Sequence, residues 1–153
     1  MDFQVGTVKK TKGQVKKHIT QCTPQEKEQL NKAKDRVKDL WLKCGIKTGY
    51  HLQDKIRNGE TKFSYLRAME AMIHDEIIEY NETGADKRVL IRSGIGHVGE
   101  SIDDIVVQCI VVSLFSGKVI TSYLNKASDR HKTLDPRRYN KNLKINLPKH
   151  LTK

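Results

Sequence analysis

The stretch from Asp104 to Asn140, DIVVQCIVVSLFSGKVITSYLNKASDRHKTLDPRRYN, constrains the fold more than any other part of the chain. Ile105 to Phe115 is an apolar, β-branched run, too rich in Val and Ile to favour a helix. Ser116-Gly117 is a dipeptide of the type that closes hairpins, and Lys118 to Asn125 returns as a second strand. A two-residue loop fixes register. It sets Phe115 opposite Lys118, Val112 opposite Thr121, Ile110 opposite Tyr123 and Gln108 opposite Asn125. One face of the second strand then carries Val119, Thr121, Tyr123 and Asn125. The segment beyond it brings Asp129, Arg130, His131, Thr133 and Tyr139. A hydroxyl-bearing strand face next to a loop with His and Arg is the strongest pointer to chemistry in the chain.

The preceding residues supply helices. Residues 1–22 read as a basic linker or arm. Thr23, Pro24 and Glu26 form a capping box with proline at the first helical position. Leu30, Ala33, Val37, Leu40, Trp41 and Cys44 follow at helical spacing, and Gly45 ends the helix. Trp41 reads as a core anchor. A short helix over Tyr50 to Asn58 buries Leu52 and Ile56, and puts His51 and Lys55 one turn apart on one face. A third helix is predicted from Lys62 to Ile73, with Phe63, Leu66, Met69 and Ile73 inward. Glu76 to Glu82 and Lys87 to Ser93 read as strands joined by a turn over Thr83 to Asp86. Gly94 to Asp103 is a glycine-containing loop with His97. The expected fold is α+β, with N-terminal helices packed on a twisted antiparallel sheet of four strands or slightly more. The functional domain spans 23–140: helices over 23–73, sheet over 76–125 and a site loop over 126–140. A basic tail, 141–153, is expected as an extended arm.

Composition narrows the partners. The chain of 153 residues carries a formal charge of +11, from 29 Lys and Arg against 18 Asp and Glu. Such an excess favours a polyanion, nucleic acid first. No apolar run is long enough to span a membrane, so no membrane insertion is expected, and the N-terminus has no signal-peptide core. Cys22, Cys44 and Cys109 lack metal or disulfide spacing, and Cys44 and Cys109 are expected to be buried thiols. The six histidines show no paired-ligand spacing, and neither a phosphate-binding loop nor a nucleophile elbow is present. Gly94-Ile95-Gly96 with Gly99 has dinucleotide-loop spacing but opens no helix. No metal and no small-molecule cofactor is expected.

What remains is acid–base chemistry on RNA. A base takes the proton of a 2′-hydroxyl, an acid protonates the leaving 5′-oxygen, and cations or hydroxyl donors stabilise the phosphorane. The candidate catalytic residues are His51, Lys55, Arg92, Thr121, His131 and Tyr139. Either His51 or His131 fits the base. Candidate RNA contacts are Lys118, Tyr123, Asn125, Arg130, Thr133, Arg137 and Arg138. Each also has an ordinary role, as solvated charge or strand former.

The helix pattern His51-Leu52-Gln53-Asp54-Lys55, the hairpin Gly117-Lys118-Val119-Ile120-Thr121 with Tyr123 and Asn125, and His131-Lys132-Thr133-Leu134-Asp135 together resemble the barnase/EndoU/colicin/RelE group. The resemblance covers Tyr50 to Tyr139. Within that group it is greatest to the C-terminal ribonuclease domains of contact-dependent inhibition and other polymorphic toxins. It implies a metal-independent ribonuclease acting on tRNA, neutralised by a cognate acidic immunity protein. It also implies a module delivered by a larger secreted or cell-surface effector and active in the target-cell cytoplasm. The competing reading is a non-catalytic basic nucleic-acid-binding module. Low aromatic content and the lack of a standard reader motif weigh against it.

Overall fold

The computed structural model describes residues 15–99, 104–132 and 134–153. Its elements are β1 (Lys16–His18), α1 (Pro24–Cys44), α2 (Tyr50–Arg57), α3 (Tyr65–His74), β2 (Ile77–Thr83), β3 (Asp86–Arg92), β4 (His97–Val98), β5 (Ile105–Ser113) and β6 (Val119–Lys126). The result is α+β: among the described residues, three α-helices and one open antiparallel sheet of six strands. β1, β2, β3, β5 and β6 pair in that order, and β4 pairs with the start of β5 beyond the end of β3. The two strands beyond the expected four are β1 and β4.

One sheet face is sealed by the helices. Leu30, Val37 and Trp41 of α1, Leu52 of α2 and Met72 of α3 meet Tyr80, Ile91, Ile110, Val112 and Val119 of the sheet in one buried cluster. α1 forms as its sequence dictates. Thr23 accepts from the Glu26 N–H, Glu26 returns to the Thr23 N–H, and Gly45 ends the helix at φ 83°. The Trp41 indole N–H donates to the Gly117 carbonyl at 2.8 Å, tying helix to hairpin. Two residues depart from the expected stripe: Leu40 is 36% exposed and the Cys44 thiol is exposed rather than buried. α3 is shorter and rotated. Ser64 caps it, so it cannot start at Lys62. Ala68, Ala71 and Met72 face inward, whereas Leu66 and Ile73 point out. Small alanines permit close approach to the sheet, and that contact overrides the bulkier stripe.

The hairpin register differs from expectation. The loop is four residues, Leu114 to Gly117, because fully buried Leu114 belongs to the core and Ser113 pairs its N–H with the Lys118 carbonyl. Gly117 closes it at φ 73°. Val112 then faces Val119, a bulge follows, and Val111 faces Thr121, Cys109 faces Tyr123 and Val107 faces Asn125. A one-residue slip exchanges faces. Val119 therefore enters the helix-side core, while Thr121, Tyr123 and Asn125 take the other face.

The segments flanking the expected domain read as arms, and their described parts, from residue 15 and through 141–153, are packed. Residues 1–14 of the N-terminal arm lie outside the described residues, but Lys16–His18 adds a strand to the edge of β2. The tail is docked along α1, with Ile145, Leu147 and Leu151 buried. Its alternation Leu143, Ile145, Leu147 is strand-like and is masked in composition by lysines. Glu26 joins all three parts. It takes the Lys17 ammonium at 2.7 Å and the Ile145 N–H at 2.8 Å, while capping α1. Desolvation raises the Glu26 carboxyl, but bonds from Lys17, Ile145 and Thr23 outweigh it and hold the group below its usual range. Glu26→Gln is expected to cost about 3 kcal/mol at neutral pH, because it leaves Lys17 buried without its counter-charge. A depressed carboxyl stabilises the fold above its unfolded value and loses that contribution as pH falls through the folded one. Urea unfolding should therefore show the gap to wild type closing below about pH 4.

Candidate active site on the open sheet face

Strand alternation gathers a second set of side chains on the face away from the helices. One row across the sheet runs His18, Glu79, Leu90, Val111, Thr121; the next runs Arg92, Cys109, Tyr123. Leu90, Val107 and Cys109 form a small apolar floor there with Ile78, Val111 and Ala127. Two irregularities set this arrangement. The bulge at Ile78 brings Glu79 opposite Leu90, and the bulge near Ile120 turns Thr121 and Tyr123 toward the same face.

The segment after β6 crosses this face. The Ala127 N–H donates to Ile105, and at the far end the Asn140 N–H donates to Lys16 of β1. Arg92 holds the crossing segment from below, its Nε on the Asp129 carbonyl at 3.1 Å and its Nη2 on the Ala127 carbonyl at 2.8 Å. Asp129 accepts from the His131 N–H at 3.0 Å. That bond, then the Asn125 amide, holds the Asp129 carboxyl below its usual range.

His131 sits at φ 56°, a left-handed conformation costing about 1 kcal/mol for a residue with a Cβ. What fixes it is His18. The Thr20 N–H donates to His18 Nδ1 at 3.2 Å, so the ring proton belongs on Nε2. From there it donates to the His131 carbonyl at 2.6 Å. His18 is buried and packs its edge against the Tyr139 ring, 5.3 Å between centroids. Arg138 lies over the same tyrosine at 5.8 Å.

These candidate groups meet at Glu79. It is 4% exposed; Oε1 is 3.7 Å from the Lys16 ammonium, and Oε2 is buried with no hydrogen-bond partner among the described residues. Lys16 beside Oε1 and the Tyr139 phenol engage this carboxylate, and Oε2 retains accepting capacity that the described residues do not use. Burial, then the adjoining Glu79 carboxylate, raises the Tyr139 phenol. Burial also raises the Tyr123 phenol, with Cys109 and Glu79 adding to it. Tyr123 lies 3.3 Å from His131 Nε2, and His131 Nδ1 is buried without a partner. Desolvation lowers the His131 imidazole; Asp129 and Glu79 oppose this, and Arg92 and Arg138 reinforce it. Burial pushes the Cys109 thiol up to about 11, against Arg92 and Tyr123, so it is no nucleophile near neutrality.

Of the residues expected from sequence, Arg92, His131, Tyr139, Tyr123, Asn125 and Arg138 converge here, and Thr121 lies on the same face. His51 and Lys55 do not join them. Both are exposed on α2, where the His51 ring meets Tyr50. Arg137 is exposed and paired with Asp135; Lys118 is exposed just after the hairpin loop; Arg130 lies beside His131, exposed. Thr133 lies outside the described residues. Glu79 and His18 were missed. A glutamate between Ile78 and Tyr80 in a β-branched strand was the available signal for the first. Among the described residues, no three His, Cys, Asp or Glu side chains converge to hold a metal ion, and no helix is long and apolar enough to cross a membrane.

No protein-family model, curated protein or solved structure matches the chain.

If His18 holds the strained residue, His18→Ala should raise amide hydrogen exchange across 129–132 by roughly an order of magnitude, the loss of about 1–1.5 kcal/mol of hydrogen bonding. His18→Gln, which keeps an N–H donor, should restore most of the protection.

Proposed function

We propose that the protein is a metal-independent endoribonuclease whose reaction centre is Glu79 and His131. The observation that carries this is the Glu79 carboxylate, engaged by Lys16 and Tyr139 but with accepting capacity left at Oε2, set with an imidazole, two guanidinium groups and two phenols on one sheet face. Those are the groups that 2′-hydroxyl transesterification requires. Glu79 accepts the 2′-hydroxyl proton. His131, as imidazolium, gives a proton to the leaving 5′-oxygen. Arg92 and Arg138 offset the charge on the phosphorane, and Tyr123 and Tyr139 donate to its oxygens. The products are a 2′,3′-cyclic phosphate and a 5′-hydroxyl. His51 takes no part in this scheme. The charge of +11 favours a folded, polyanionic RNA such as tRNA as substrate.

Helices followed by an antiparallel sheet, with the site on its open face, support assignment to the barnase/EndoU/colicin/RelE group. On that reading the domain is the toxic end of a larger delivered effector, acts in the target-cell cytoplasm, and is neutralised by an acidic immunity protein that covers this face.

Glu79→Gln and His131→Ala are each expected to lower single-turnover cleavage of tRNA in EDTA by about 10²–10⁴-fold, with thermal stability retained. Equal loss on His51→Ala would restore the alternative base. If neither Glu79→Gln nor His131→Ala slows cleavage, the assignment is wrong; if wild type binds RNA and never cuts it, the protein is a binding module.

The pH profile gives a separate check. The His131 imidazole is held low in the free protein, chiefly by burial. An acid must be protonated to act, so kcat/KM is expected to fall as pH rises through a value below the usual 6.5 of histidine. A bound phosphate facing Arg92 and Arg138 favours the imidazolium, so the same limb should move to higher pH in kcat.

A further inference from the structure

A cleft of about 510 Å³ opens beside the Glu79–His131 cluster, a volume within the range of small-ligand sites. Its walls include Asp75, Glu76, Arg92, Gly94, Arg130 and Lys132. Arg130 and Lys132 flank His131 in sequence, and Arg92 belongs to both cluster and cleft. The two carboxylates come from the junction of α3 and β2. Among the described residues no ion pair joins them to the three cations. Arg92 is oriented by its two carbonyl contacts, which leaves Nη1 for a ligand. Gly94 makes room for Asp75: a Cβ there would stand 2.7 Å from Asp75 Oδ1. The glycine motif that opens no dinucleotide site therefore seats a carboxylate instead.

Cations and carboxylates that line one cleft and do not neutralise each other suit a ligand that is anionic at one end and carries N–H donors at the other. A nucleotide within an RNA strand has both. Its phosphate accepts from Arg and Lys, and an exocyclic amino group donates to a carboxylate, as the cytosine amine does. A uracil would present an acceptor there and leave the carboxylate unpaired. We infer that this cleft is a subsite for the nucleotide adjoining the scissile phosphate, in which Arg130 and Lys132 hold the flanking phosphate and Asp75 selects an amino-bearing base. The inference rests on the ribonuclease reading for its biological meaning, but not for its test.

Fluorescent 2′-O-methyl tetranucleotides, C-rich or U-rich, lack the attacking hydroxyl and report binding alone. Wild type is expected to bind the C-rich probe about tenfold more tightly, the low end of one discriminating base contact. Asp75→Asn, whose amide can donate, should erase or reverse that preference while leaving phosphate binding in place. Arg130→Ala with Lys132→Ala should weaken both probes alike, and should reduce the slope of log affinity against log salt by about 0.7, the single-strand value for one phosphate contact. Equal binding of both probes by wild type, or a C preference untouched by Asp75→Asn, overturns the base assignment. A salt slope unchanged in the double variant overturns the phosphate assignment. Probe binding as expected with no cleavage of any RNA sinks the nuclease reading alone. Cleavage with probe binding indifferent to all three substitutions sinks this inference alone.

Discussion

The Glu26 carboxylate is the point on which the rest depends. Its two oxygens close the first turn of α1, neutralise Lys17 and take the Ile145 N–H of the C-terminal segment. Lys17 lies between Lys16 and His18 in β1, and the pairing that Glu26 secures sets His18 across from Glu79. His18 then holds the His131 carbonyl, and Lys16 takes the Asn140 N–H. A buried ion pair on one side of the sheet edge thus fixes the crossing segment on the other side. Replacing such a pair by apolar residues is often neutral for stability. Here it also sets a register, and register decides which groups meet.

The two faces of the sheet have different physics. On the helix side the side chains are large, apolar and almost fully buried, and position is set by packing. On the open side the floor is small, and above it polar groups are incompletely paired: Glu79 Oε2 and His131 Nδ1 have no partner among the described residues. Such groups are costly in a low-dielectric setting and respond strongly to an arriving charge. Burial depresses the proton affinity of His131 in the free protein and Arg92 and Arg138 add to this, so an anion placed against those guanidinium groups would offset their share. In the proposed reaction, substrate binding is thereby coupled to protonation of the acid.

Much of this was legible in the residues, and the gaps have physical causes. The capping box and Gly45 mark α1 to the residue, since caps are local chemistry. Arg92, His131, Tyr123 and Tyr139 stand out because polar groups next to apolar strands are conspicuous. The hairpin register was not legible. Ser116-Gly117 looks like a complete turn, and only burial of Leu114 in the core shows that the loop is longer. His18 was hidden in a lysine-rich stretch that reads as an arm, because a short edge strand takes its order from its neighbours. Glu79 was hidden because alternation alone does not reveal which face is open. His51 and Lys55 have helical spacing suited to a site, but α2 leaves both exposed in solvent away from the cluster.

The central claim is that this sheet face carries out transesterification through the 2′-hydroxyl. The most direct test is end-group analysis of the fragments formed when purified protein cuts tRNA in EDTA. Fragments ending in 2′,3′-cyclic phosphate with 5′-hydroxyl partners are the predicted result. Fragments with 5′-phosphate ends, or equal cutting of a 2′-deoxy substrate, would contradict the account.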